Sequence, residues 1–516
     1  MPTIRNNFRP RRIPRQFMSL IPEWEDDYRH GSGEFEEENA DDSHDEGEYC
    51  QVVDEFGCVA IENFFPGGTG NDSITDNKWR WTRVEKETDP SIASDVRTRA
   101  TVWGKIQQVK AEQSKYGVSH LYEREWQECA TRASKLNAAT SPIKAITEAE
   151  PQTIMVNGDS VRSSSIAACT FSVVQLNALA EGLSSSPSAQ RPFQVDSNDC
   201  NIRQERSGAF GGFTALPFPE QTMDFSMRRW RLVELILNTM SKYDQNEVEL
   251  DEDSELFDII ALEEVDRYNG FFAPILRLFG YESLFVPKTR SPCVRMGWYS
   301  DGACLAWKKS VFQLLWEHRG EYKVGNQVFI LAALRHKATG RVLIVAVTHL
   351  KAQKGSENES MRLLQVQELL ESIDKAAAFV QTRGHEDPPV LILGDFNAEP
   401  PSLVVAAAER TERATSSVRC VLDYEFSYSK RSGSTSEPIK LSSAYPINPP
   451  PPDFYTTFKI RGSETARRII DYIFYSSQLT CEATLKVPSE RELEPSKLPG
   501  LRHPSDHMLI AAKLRL

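Results

Sequence analysis

Residues 391–400 read LILGDFNAEP: an apolar run closed by a glycine, then Asp395 and Asn397 two positions apart. A short aliphatic run bounded by turn formers predicts a buried β-strand. A carboxylate and an amide at the end of such a strand cost free energy unless something compensates them. Taken alone, Asp-x-Asn after a strand is a turn or a helix cap. The rest of the chain decides whether it is more.

Similar runs recur downstream of residue 166: ACTFSVVQL, FDIIAL, VLIVAVTHL, PPVLILG and RIIDYIFYS. Between them lie helical patterns, MRRWRLVELILNTMSKY and ESMRLLQVQELLESI. In the second, Leu363, Leu364, Val366, Leu369 and Leu370 approximate one face at helical spacing. Strands alternating with helices predict a layered α/β domain over residues 166–516. The acidic stretch 244–255 and the proline cluster 448–454 read as surface loops within it. Upstream, residues 1–100 lack sustained apolar periodicity and read as a mostly disordered, low-complexity tail, with one apolar island, CVAIENFF, as a docking peptide. Residues 101–165 read as a helical segment and linker. There Gly117 divides two helices, and Trp103, Ile106, Val109, Leu121 and Trp126 are its buried positions.

Charge separates these regions. The 516 residues carry 73 acids against 60 lysines and arginines. Residues 23–55 alone hold fifteen acids and a single base, Arg29, so the remainder is close to neutral. From residue 166 onward forty bases face forty-four acids. That balance argues against the extended basic track that processive RNA binding uses. Nine scattered cysteines without a C-x-x-C pair fit reduced intracellular thiols, neither a disulfide framework nor a zinc site. No apolar run has membrane-span length, so no membrane partner is expected. The first 22 residues hold five arginines and no acid, but Pro2, Pro10, Pro14 and Pro22 interrupt any amphipathic targeting helix. The expectation is a cytoplasmic protein, with mitochondrial or other organelle targeting as the alternative.

Polar residues cluster where the apolar runs end: Asn177, Glu264, His349, Asp395, Asn397, Asp471, Asp506 and His507. Each alone has an ordinary explanation, as a solvated strand edge, a cap or a packed histidine. Together they are too many for that. Carboxylates gathered at buried strand ends repel one another unless a cation lies between them, and hard oxygen donors favour magnesium or manganese.

The order of LEEVD, VTHLKA, GDFNAEP, DYIFYS and PSDH after Asn177 resembles the exonuclease–endonuclease–phosphatase superfamily. More narrowly it is similar to the nocturnin branch, relatives of the carbon-catabolite-repressor-type deadenylases. FVPK, SDGACLAW with Asp301, the helix carrying Arg362 and Gln365, YTTFKIR and KLPGLRHPSDH extend the likeness over residues 166–516. The resemblance implies a layered α/β sandwich and a metal-dependent hydrolase of phosphate esters. It implies that Glu264 holds Mg2+ or Mn2+, with Asn177 and Asp506 completing the shell. Asp395 and Asn397 would position the attacking water, His507 and His349 would donate to phosphoryl oxygens, and Asp471 would orient His507. Whether Asp395 or His507 takes the proton stays open. Lys288, Lys351, Arg461 and Phe458 are the implied substrate contacts, and the implied substrate is the 2′-phosphate of NADP or NADPH, giving NAD or NADH. Three positions depart from the branch: Gln353 stands for an arginine, Phe458 for a tryptophan and Glu263 for a glutamine. Two other readings remain: a 3′-exoribonuclease on the RNA 3′ end (a poly(A) deadenylase) or related 2′-phosphodiesterase, and a non-catalytic scaffold using the acidic tail.

Overall fold

The structure, a computed structural model, describes residues 98–118, 120–129, 169–186, 189–193, 209–213, 215–237, 256–409 and 440–516. The acidic tail, the island CVAIENFF, the arginine-rich start, the linker before residue 166 and the acidic stretch 244–255 lie outside the described residues.

Two mixed sheets stack face to face. One has the strand order β1 (Trp126–Glu128), β14 (Thr480–Leu485), β15 (Ile510–Arg515), β2 (Thr170–Asn177), β3 (Ile259–Val265), β5 (Gly302–Lys308) and β4 (Tyr281–Pro287). The other runs β10 (Leu441–Ser443), β13 (Asp471–Ser476), β9 (Val390–Asp395), β8 (Val342–His349), β7 (Val328–His336) and β6 (Phe312–Glu321). Val173, Ile259, Leu305, Val345, Leu391 and Ile473 share the core between them. Each such fully buried aliphatic side chain contributes about 1.5–3 kcal/mol.

Helices cover both outer faces. α1 (Arg99–Ser114), α2 (Phe225–Ile236) and α3 (Ala273–Leu278) pack on the first sheet. α4 (Ser356–Thr382) and α5 (Leu403–Ala408) pack on the second. The result is the expected layered α/β sandwich, in four layers. Strands β2 and β3 are parallel, as are β8 and β9, and parallel neighbours need a crossover. α2 lies in the first crossover and α4 in the second. Gly394 permits the close approach of β9 to β8: a Cβ there would stand 2.1 Å from the Thr348 carbonyl oxygen.

Two expectations need correction. Leu364 is 41 % exposed, because the buried face of α4 runs through Val366, Leu369, Leu370 and Ile373 and Leu364 falls off that stripe. Among the described residues 120–129 there is no second helix after Gly117. α1 ends before Gly117, which has φ of 81°, and the chain continues extended into β1, paired with β14. Cross-strand pairing prevails over the helix-forming composition there. Leu121 and Tyr122 are buried, and Arg124 donates to the carbonyls of Lys486 and Leu485 at 2.9 and 3.2 Å. Val102, Ile106 and Val109 bury one face of α1 in the core around α2, and Lys110 reaches Glu234 at 3.3 Å. Residues 98–129 are therefore packed into the sandwich.

Candidate active site

The register of the strands gathers the site at one end of the sandwich. Asp471 lies opposite Asp395 across β13 and β9, and His349 opposite Asp395 across β8 and β9. On the facing sheet Asn177 ends β2 beside the end of β3, where a bulge between Leu262 and Val265 interrupts the ladder. At that bulge Glu264 takes φ of 54°, a left-handed conformation that turns its carboxylate away from the strand's normal alternation. Asn177 joins the two sheets, donating its amide to Glu264 Oε1 and to Asp395 Oδ2, both at 3.1 Å. Glu264 Oε2 accepts from the Ala180 amide at 3.3 Å.

His507 is the second focus. Its Nδ1 meets the two oxygens of Asp471 at 3.1 and 3.0 Å, so this nitrogen carries its proton toward the carboxylate. Burial pulls the imidazole down, but Asp471, with Asp395 and Asp506 beyond it, outweighs burial and holds His507 at about 9. The ring is thus a cation at neutral pH. Asp395 is pushed up to about 6, first by burial and then by Asp471. It remains ionised above that pH, 3.8 Å from His507 Nδ1. His349 lies 3.6 Å from Asp395 and is held well below its ordinary value by burial, then by Lys288 and His507. It is neutral, and its buried Nδ1 has no protein partner. Asn397, at φ of 50°, turns so that its amide reaches the Leu350 carbonyl at 3.1 Å while its own N–H donates to Asp395 Oδ1 at 2.9 Å.

A hairpin, β11 (Thr457–Arg461) with β12 (Glu464–Arg468), brings cations to this end. Along β11 residues alternate between faces. Thr457, Lys459 and Arg461 share one face: Thr457 donates to the Asp506 carbonyl at 2.7 Å, and Lys459 and Arg461 reach Asp506 Oδ2 at 2.5 and 3.3 Å. Burial would raise the Asp506 carboxyl, yet Lys459, His507 and Arg461 hold it well below the usual carboxylate range. Lys288 pairs with Asp301 at 2.6 Å and stays charged within the electrostatic reach of Glu264 and His349. The Arg461 guanidinium also stacks over Phe213 at 4.4 Å.

Of the residues expected at a site, the structure brings together Asn177, Glu264, His349, Asp395, Asn397, Asp471 and His507, with Lys288 and Arg461 beside them. Two others differ in their contacts from what was expected. Asp506, expected in a metal shell, stays beside His507 but pairs with Lys459 and Arg461. Phe458, expected against substrate, is 4 % exposed and packs with Tyr122, Tyr455 and Leu498, because it lies on the opposite face of β11 from Lys459. Lys351 lies just beyond β8; Arg362 donates to its carbonyl at 2.9 Å and to that of Gln353 at 2.8 Å, while Gln365 accepts from its N–H at 2.9 Å. Gln353 itself is exposed, at φ of 79°.

Glu263 faces the interior between the sheets and is linked to the site through Gln175. It accepts from Gln175 at 2.7 Å, and that same amide nitrogen donates to Asp471 at 3.1 Å. Burial, then Asp471, raises Glu263 well above its ordinary value, so it carries a proton. Three supporting residues escape sequence reasoning. Lys459 was discoverable from its i, i+2 spacing to Arg461. Gln175 sits in an apolar run with no local sign of its partner. Arg228, buried on α2, donates to the carbonyls of Ala178, Leu179 and Pro504 at 2.9, 2.7 and 3.2 Å, clamping the loop after β2 to the segment before Asp506.

The donor set suits a divalent cation. Asp395, Asp471 and His507 offer donor atoms within 4.8 Å of one another. However, the hydrogen bonds of His507 Nδ1 to Asp471 occupy that pair. Glu264 and Asp395 instead each present a carboxylate oxygen 3.1 Å from one Asn177 nitrogen, an oxygen-rich set matching a hard cation better than zinc.

Comparisons with known proteins identify relatives of this chain. The model of the Endonuclease/Exonuclease/phosphatase family matches residues 218–507. Nocturnin of Xenopus laevis is 34 % identical over 264 residues, 49 % of this chain and 58 % of that protein. The probable CCR4-Not complex 3′-5′-exoribonuclease subunit Ccr4 of Vairimorpha ceranae is 27 % identical over 283 residues, 50 % of this chain and 55 % of that protein. The chain therefore spans a little over half the length of these relatives. Among solved structures, the human Nocturnin catalytic domain with bound sulfate anion matches at 24 % identity and a TM-score of 0.43, over 67 % of this chain and 93 % of that one. Among the described residues no helix is long and apolar enough to cross a membrane.

Proposed function

We propose that this chain, which belongs to the endonuclease/exonuclease/phosphatase family, is a divalent-cation-dependent phosphoester hydrolase whose substrate is the 2′-phosphate of NADP or NADPH. The observation that supports it most is the division of labour at the site. An ionised Asp395 and a charged His507 stand 3.8 Å apart, with Lys459 and Arg461 grouped on Asp506 beside them. An ionised base, a cationic donor and a cluster of phosphate-seeking cations are what in-line hydrolysis of a phosphate ester requires.

Glu264 would hold the cation, Mg2+ or Mn2+, with Asn177 fixing its carboxylate beside Asp395; when bound it would neutralise phosphoryl oxygens and acidify water. Asp395 takes the proton from the attacking water, because at about 6 it is a competent base while His507 at about 9 is already protonated. His507 donates from Nε2 to a non-bridging oxygen as negative charge grows, and Asp471 keeps Nδ1 protonated and the ring aligned. Neutral His349 donates a second hydrogen bond. Asn397 holds the water or phosphate in line. Lys288, Lys351, Lys459 and Arg461 receive the substrate phosphates, and Asp506 aims the last two.

Preference for a dinucleotide rests on the nocturnin likeness and on the near-neutral charge downstream of residue 166. The likeness to Ccr4 favours the RNA 3′ end instead. Purified protein with Mg2+ is given NADPH and a short oligoadenylate in separate reactions, with Asp395→Asn as control. Phosphate release from NADPH alone is the expected result. Shortening of the oligoadenylate with NADPH untouched would overturn the substrate, and equal activity of the variant would overturn the mechanism.

A further inference from the structure

We infer that Cys129 and Cys481 are a thiol-modification site, a pair that forms a reversible disulfide with a small-molecule disulfide as oxidant and staples the N-terminal edge strand to the sheet. The two cysteines are 352 residues apart in sequence, yet their sulfurs lie 3.4 Å apart. β1 and β14 are adjacent antiparallel strands. Cys129 follows β1 directly, and its N–H donates to the Glu482 carbonyl at 2.9 Å. Cys481 lies on β14, where a bulge between Cys481 and Ala483 lets it face Cys129. The register Glu128↔Ala483 makes Cys481 a diagonal neighbour of Cys129, and sulfurs 3.4 Å apart must close to a bond of about 2.05 Å.

The two thiols differ in the way an exchange reaction needs. Cys129 is half-exposed and can meet a reagent, whereas Cys481 is buried behind it. The hydrogen bond they share draws the Cys129 thiol below its ordinary value and raises that of Cys481. Cys129 is therefore the attacking thiolate and Cys481 the resolving thiol. The Cys129 thiolate attacks one sulfur of a glutathione-type disulfide, RSSR, forming a mixed disulfide and expelling RS−. Cys481 gives up its proton and attacks the Cys129 sulfur, expelling a second RS−. The net change is two protein thiols and RSSR to one protein disulfide and two RSH. The protein pair is oxidised and the small disulfide reduced.

The bond would matter where it sits. β1 is a three-residue edge strand, and α1 precedes it. Their attachment rests on α1 packing, the β1–β14 pairing, buried Leu121 and Tyr122, the Arg124 hydrogen bonds and Lys513 over the Trp126 ring at 4.6 Å. A covalent link at Cys129 fixes the residue that follows β1 to β14, so the strand opens less often.

The full chain, equilibrated in buffers of graded oxidised-to-reduced glutathione ratio and trapped with a maleimide, is digested and its peptides weighed. The expected product is a Cys129–Cys481 linked peptide that appears as the ratio rises and disappears when it is reversed. Cys129→Ser abolishes it, and Cys481→Ala leaves Cys129 as a persistent mixed disulfide with glutathione. Hydrogen exchange over residues 99–128 slows roughly thirty-fold or more in the oxidised form, matching the low end of cross-link stabilisation. Free thiols at both positions in excess glutathione disulfide, or linkage of either to a different cysteine, overturns the pairing. A linked peptide with unchanged exchange overturns the staple.

Discussion

The strand ends that converge on Asp395 and the hairpin β11–β12 that lies beside them are built on opposite plans. The strand ends supply anions and one histidine, held by register: Asp395 against Asp471, His349 against Asp395, and Asn177 bridging to Glu264. The hairpin supplies Lys459 and Arg461, held by a single carboxylate, Asp506. In the first region Asn177, His349, Asp395 and Asp471 are buried; in the second, Arg461 keeps 44 % of its side chain exposed. The difference teaches that chemistry and substrate choice are carried by separable parts. A change at the strand ends should fall on kcat, and a change on the hairpin on KM.

The largest test of that division is Asp395→Asn. It removes the base while keeping the shape and the Asn177 contact, so kcat should fall about 10²–10⁴-fold. KM and the melting temperature should change little. Phosphate-release kinetics with a thermal melt measure both. An equal rise in KM would mean that the two regions are not separable.

Asp471→Asn comes next. It leaves the ring of His507 in place but weakens the field that keeps it charged. Loss of an orienting carboxylate of this kind costs about 10–100-fold. The pH profile discriminates more sharply than the rate. In the parent protein the alkaline limb of kcat belongs to His507 near 9, since activity needs the protonated ring and is lost as pH rises through that value. The acid limb belongs to Asp395, at or below about 6, since activity needs its ionised form. In Asp471→Asn the alkaline limb should move to lower pH, while the acid limb should not rise. An unmoved alkaline limb would release Asp471 from its assigned task.

On the hairpin, Lys459→Met removes one charge-assisted contact and keeps the stem. The expected effect is a KM about 10–100-fold higher with kcat within a few-fold, the size of one hydrogen bond to a charged group. Raised salt should weaken the parent protein in the same direction. A collapse of kcat would move Lys459 into the chemistry.

How far these parts could be read from sequence follows from what holds each. β8 and β9 announce themselves because both faces of each are buried, which leaves uninterrupted runs such as VLIVAVTH and LIL. His349 and Asp395 at their ends, like Asp471 at the start of β13 and His507 before β15, stand out against that apolar background. The hairpin was harder. Its alternation, Phe458 inward and Lys459 outward, depends on which face of a two-stranded ribbon meets the core, and YTTFKIR does not say. The sequence alone therefore puts Phe458 against substrate and gives Lys459 no distinct task. Strand β1 was hidden for another reason: three residues joined to an edge carry no periodicity, and the helix formers around Trp126 point the other way. Arg228 and Gln175 lay beyond reach, since each is defined by partners far away in sequence.

The smallest expected effect on catalysis concerns Glu263 and Glu264, neighbours in the chain with opposite fates. Glu264 turns outward at its bulge, while Glu263 is sealed between the sheets with only the Gln175 amide on one oxygen, its other oxygen unpartnered. Because Glu263 carries a proton, Glu263→Gln replaces one neutral group by another of the same shape, and kcat should stay within about threefold. Stability should respond instead. The folded protein keeps this proton after an unfolded chain would release it near pH 4.3, so above that pH the folded state binds more protons and loses stability as pH rises. The loss continues until the buried carboxyl itself ionises. Glu263→Gln has no such proton, so its melting temperature should exceed that of the parent by a margin that widens from about pH 5 upward. A margin that is constant across pH would mean that Glu263 is charged in the folded protein. In that case the strand ends would hold one more anion than the division of labour between them and the hairpin allows.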